Sequence, residues 1–124
     1  MGYKLKVLVE TPYMFEGYNK LNTEFRCGIS VEFTMLDIND FEDLLKQGFI
    51  LITLIDLWNL DMIIHTVHYV IVNGFGKSHF CMVDPKYGKE IKFSKVRLEK
   101  ALMDLKEKLG YSPLIFAIKK PKPL

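Results

Sequence analysis

Apolar and polar residues alternate through 3–10, where Tyr3, Leu5, Val7 and Val9 are set against Lys4, Lys6 and Glu10, the period of two that a strand requires. After Pro12 the spacing changes: Met14, Tyr18, Leu21 and Phe25 recur at intervals of four, three and four. That stripe predicts a helix over 13–26, weakened by Gly17 and stopped by Gly28. Ile29, Val31, Phe33 and Met35 then alternate with Ser30, Glu32 and Thr34, a second strand over 29–36. Asp37 or Asn39 is suited to cap a short helix through Lys46, with Phe41, Leu44 and Leu45 inward and Gly48 ending it.

The run 49–55 is almost wholly apolar and β-rich, as in a central strand covered on both faces. Two further β-rich runs, 67–73 and 78–84, flank Gly74 and Gly76 and form a hairpin pattern, and 89–93 predicts another short strand. Ser94 is placed to cap a helix whose Leu98, Leu102, Leu105 and Leu109 make one stripe, with Gly110 and Pro113 after it and a closing strand over 114–118. The order β-α-β-α-β-β-β-β-α-β has no repeat and no linker. It predicts one α+β domain over 1–118, a central antiparallel sheet flanked by helices, with 119–124 as a flexible basic tail.

At 124 residues and 49% hydrophobic content the chain fills one core. Seventeen Lys and Arg against fifteen Asp and Glu leave a net charge of +2 with no basic block, so neither nucleic acid nor a membrane surface is an expected partner. The most apolar stretch, 49–64, is interrupted by Asp56, Asn59 and Asp61 and falls short of the roughly twenty apolar residues of a membrane helix. Residues 1–6 alternate lysine with apolar residues, unlike a signal peptide. The expectation is a cytoplasmic protein with no membrane insertion, whose two cysteines, Cys27 and Cys81, stay reduced.

Neither a cofactor nor a metal is expected. Gly74-Phe75-Gly76 leads into a strand and not a helix, so it is no phosphate loop. His65, His68, His79 and Asp84 lack a zinc-like spacing, and residues three apart on a strand point to opposite faces. The candidate chemistry is a pair, His68 with Asp84. A three-residue loop that pairs Gly74 with Ser78 sets His68 opposite Asp84, whereas a four-residue loop pairs His68 with Val83. A carboxylate beside an imidazole fixes the ring tautomer and stabilises the imidazolium, as a general base requires. Asp84-Pro85-Lys86-Tyr87-Gly88 is also a good turn, in which Asp84 accepts backbone hydrogens. Trp58, Leu60, Met62 and Ile63, in the connection 56–66, are candidates to line a groove beside His68.

Three stretches carry a resemblance: Leu45-Lys46-Gln47-Gly48-Phe49-Ile50-Leu51-Ile52, His68-Tyr69-Val70-Ile71-Val72-Asn73-Gly74-Phe75 and Met82-Val83-Asp84-Pro85-Lys86-Tyr87-Gly88. In order and spacing they resemble the later half of the C39-like cysteine peptidases, papain-fold domains related to bacteriocin-processing proteases, over residues 40–118. The resemblance implies a papain-like half-domain, with His68 as catalytic base and Asp84 as the residue that orients it.

The family's nucleophile is a Cys at the start of an N-terminal helix, preceded by a Gln that helps bind the oxyanion. This sequence has its one glutamine at position 47 and no cysteine before 27. Cys27 falls at the predicted C-terminal end of a helix, where the dipole opposes a thiolate. Cys81 falls mid-strand, as a buried thiol that packs like a small hydrophobe. The resemblance therefore implies a degenerate or incomplete peptidase domain that retains the His/Asp pair and binds an extended peptide without cleaving it. The alternative is part of a split thiol peptidase whose Cys comes from a partner chain.

Overall fold

A computed structural model describes residues 4–10, 29–33 and 35–120 of the chain. Seven strands form one sheet in the order β2-β1-β7-β3-β4-β5-β6: β1 (Lys4–Val9), β2 (Ile29–Phe33), β3 (Ile50–Asp56), β4 (Val67–Phe75), β5 (His79–Asp84), β6 (Lys89–Ser94) and β7 (Leu114–Lys119). Three described helices accompany it: α1 (Ile38–Lys46), α2 (Trp58–Asp61) and α3 (Lys95–Leu109). The α+β class holds, and the strands expected from alternation are all present within a few residues. The helix expected over 13–26 lies outside the described residues. Of the expected tail, Lys119 instead closes β7, and 121–124 also lie outside the described residues.

The sheet is not wholly antiparallel. β1 and β2 run parallel, with Val7 beside Val31, while the other neighbours are antiparallel. Residues 10–28 separate these two strands in sequence, more than the dozen or so that a parallel crossover needs. β2 ends at Phe33, short of the expected 36, and Met35 is 72% exposed where alternation put it inward. Soon after Met35 the chain enters the cap of α1: Asp37 accepts from the amides of Asn39 (2.7 Å) and Asp40 (3.3 Å). Asp40 in turn accepts from the Asp37 amide, completing a capping box that satisfies donors a helix start leaves orphaned.

The ladder fixes which residues share a face. Leu51, Thr53 and Ile55 of β3 pair with Val72, Val70 and His68 of β4, and Val72 pairs with Met82 of β5. Phe80, Met82 and Asp84 therefore project to the same side as His68. On that side Phe41 and Leu44 of α1 and Leu98, Ala101 and Leu102 of α3 pack with Leu51, Ile55, Val70, Val72, Phe80 and Met82 into the main core. Three of the four leucines of the α3 stripe are buried and Leu109 is half-buried. β3 is central in the sheet, but Ile50 is exposed and Ile52 half-buried, so it is less covered than its apolar run suggested. No described helix is long and apolar enough to cross a membrane.

Candidate functional site

His68 and Asp84 meet. The His68 Nε2 lies 2.9 Å from Asp84 Oδ1, with the imidazole 18% and the carboxylate 6% exposed. Neither register expected from the hairpin loop produces this contact. Phe75 pairs with Phe80 and Gly74 with Cys81 across the loop Gly76-Lys77-Ser78, then a bulge at Asn73 shifts the ladder so that Val72 pairs with Met82 and Ile71 with Val83. Continued one step, that ladder sets Asp84 against Val70, two residues along the same face from His68. The contact is diagonal across the strands, within reach of a ring and a carboxylate.

Asp84 has a second task. Its Oδ1 accepts the Lys86 amide at 2.9 Å, and its carbonyl accepts the amides of Tyr87 (3.2 Å) and Gly88 (2.7 Å). Gly88 closes this turn at φ 63°, a conformation costly for any residue with a Cβ. The turn and the pair are thus one construction: the turn that Asp84 organises also fixes the carboxylate against the imidazole. An ionised carboxylate only accepts, so in that state the ring hydrogen sits on Nε2 and the lone pair of His68 is on Nδ1.

The pair borders a cavity of about 530 Å³ at the end of the sheet face that α1 and α3 leave uncovered. Leu57, Leu60, Asp61 and Ile63 of one segment, its roof, line it together with Ile91, Lys89, Lys86 and Tyr87 and the His68 and Asp84 side chains. Two of the four residues singled out in the connection 56–66, Leu60 and Ile63, do line it. Met62 points away into solvent, at the left-handed C-terminus of α2, and Trp58 stacks on His65 with ring centroids 4.9 Å apart.

Sequence reasoning missed what holds the roof. Asp56, wholly buried at the end of β3, bonds His65 Nδ1 through Oδ2 at 2.5 Å and accepts the amides of Trp58 and Thr66 through Oδ1, both at 3.2 Å. One carboxylate thus ties both ends of the segment 57–66. A further anchor runs from α3: Arg97 Nη2 donates to the Asn59 carbonyl at 2.5 Å, and the Asn59 amide donates to Asp104 Oδ2 at 3.1 Å, which also receives Lys100 Nζ at 2.7 Å. Burial pushes the Asp104 carboxyl upward, but the Lys100 and Asn59 hydrogen bonds together with the Lys100 and Lys108 charges outweigh it, and the group lies below its usual value. The available signal was Asp56 itself, a lone acid closing an otherwise apolar strand.

The remaining candidates disperse. His65 belongs to Asp56, and His79 projects to the other sheet face, so the three histidines do not converge; among the described residues no group of three ligating side chains is placed to hold a metal. Cys81 alternates with Met82 and so faces away from His68 and Asp84, half-buried where full burial was expected. Cys27 lies outside the described residues. Compared with family models, curated proteins and solved structures, the chain finds no match.

Proposed function

We propose that this chain is a papain-like domain related to the C39-like cysteine peptidases, in which the cavity beside His68 and Asp84 binds an extended peptide and does not cleave it. One observation carries the proposal. The imidazole and its orienting carboxylate sit at the rim of the cavity, while the Cys81 thiol is on the opposite sheet face. Cys81 therefore cannot start thiol acyl transfer with His68, since the attacking sulfur must pass its proton to that base. What is left is a concave, mostly apolar cleft with a few oriented polar groups, the usual composition of a binding site. A plain scaffold would have no need to keep a part-exposed histidine and its carboxylate at the edge of a cavity. The setting we propose is cytoplasmic, where a free thiol such as that of Cys81 stays reduced.

Calorimetric titration of the full chain with glycine-rich extended peptides tests the proposal. The expected result is saturable binding that weakens in His68→Ala, with the peptide recovered intact. Absence of heat with every peptide contradicts it, as does peptide cleavage abolished by Cys81→Ala or Cys27→Ala.

A second reading has its own observation. With an ionised Asp84 on Nε2, a neutral His68 ring carries its lone pair on Nδ1, the arrangement a general base needs and one that peptide binding alone does not demand. In a split peptidase this nitrogen serves a thiol from a partner chain. Co-expression with a chain that carries Gln and Cys on a helix then yields peptidase activity that His68→Ala abolishes; binding unchanged by any such partner counts against it.

A further inference from the structure

We infer that the cavity takes the C-terminal end of its peptide, an apolar last side chain under the α2 roof and a free α-carboxylate between Lys86 and Lys89. The inference rests on the binding function proposed above and specifies its ligand. The charges at the cavity are not equivalent. Asp84 is engaged by His68 and the Lys86 amide, and Asp61 accepts the Ile63 amide at 2.9 Å. Lys89 stands opposite Asp84 in the ladder, yet neither it nor Lys86 has an ion-pair partner among the described residues; the Lys86 ammonium lies only over the Tyr87 ring, 5.3 Å from its centroid. Each carboxylate is thus held to the fold through its Oδ1, whereas the two ammonium groups have no ion-pair partner among the described residues and are open to a ligand anion.

The rest of the lining is apolar and shaped by Leu57, Leu60, Ile63 and Ile91. Ile63 at 77% and Tyr87 at 71% exposure both line the cavity and leave apolar surface with no covering among the described residues. An apolar group next to a carboxylate matches such a site in both halves, as an amide or an internal peptide segment does not. It also suits a site whose described thiol, Cys81, lies on the other sheet face, because a peptide end presents no bond to cut at its terminal carbonyl.

The test compares a glycine-rich hexapeptide ending in leucine as free acid with the same peptide amidated. Both are titrated into the full chain by calorimetry at low and high salt, and the His68 ring resonances locate the ligand. The free acid is expected to bind about tenfold more tightly, the difference that one charge-assisted hydrogen bond makes. That advantage shrinks with salt and disappears in Lys86→Ala/Lys89→Ala, exposed positions whose substitution leaves the fold intact by circular dichroism. Equal binding of acid and amide overturns the terminal assignment while leaving the peptide cleft standing. Binding of neither peptide overturns both. Octanoate perturbing His68 where the free-acid peptide does not overturns the peptide ligand in favour of a fatty acid.

Discussion

Two buried carboxylates do most of the ordering around the cavity, and each can be tested by itself. Asp56 satisfies two amides and an imidazole from full burial. Asp56→Ala leaves those donors unmatched and is expected to cost about 2–4 kcal/mol, read as a lowered urea midpoint, with Asp56→Asn costing less because it still accepts. Asp104 supplies a pH dependence. Its folded pKa lies below the ordinary 3.8, so its contribution is fully present above the unfolded value and is lost as pH falls through the folded one. Stability should therefore drop on acidification below about pH 4, and Asp104→Asn should flatten that limb of the urea-midpoint profile. No change in slope would mean that Lys100 and Asn59 do not stabilise the ionised form.

Among the elements, the hairpin decides where the site falls. A Cβ on Gly76 would meet the His79 ring at 2.4 Å, so Gly76→Ala is expected to destabilise the turn by about 1 kcal/mol, since the ring is a movable obstacle. The loss should vanish in a His79→Ala background, a coupling read by a double-mutant cycle in urea. Asp37→Ala removes the capping box of α1 and should cost about 1 kcal/mol by the same measurement. These elements were legible in the sequence because each is set by local chemistry: alternation in β1 and β2, the apolar run of β3, a capping acid before Phe41, Ser94 and Gly110 around the leucine stripe. The pairing of His68 with Asp84 was legible as a pair but not as a register. The bulge at Asn73 depends on how β4 meets β5, which loop length alone does not specify. The α2 turn escaped for a similar reason, because Trp58 to Asp61 is too short for periodicity and is held by Asp56, Arg97 and Asp104 from elsewhere in the chain.

For the whole molecule, the sheet separates what the sequence left adjacent. His79 and Cys81 lie within five residues of Asp84, yet strand alternation turns them away from it and leaves His68 and Asp84 on the cavity side. The α1 and α3 helices cover the middle of that face and leave its end to the 57–63 segment, which is why a cavity opens there and not over the core. The function proposed above rests on that division, with the His68–Asp84 pair at a cavity and the described thiol on the other side. The most direct measurement is an NMR titration of the full chain with a glycine-rich extended peptide, following the His68 ring resonances and the integrity of the peptide in the same sample. A saturable shift at His68 with the peptide left whole is the predicted result. An unmoved His68 ring, or a peptide cut during the titration, would contradict it.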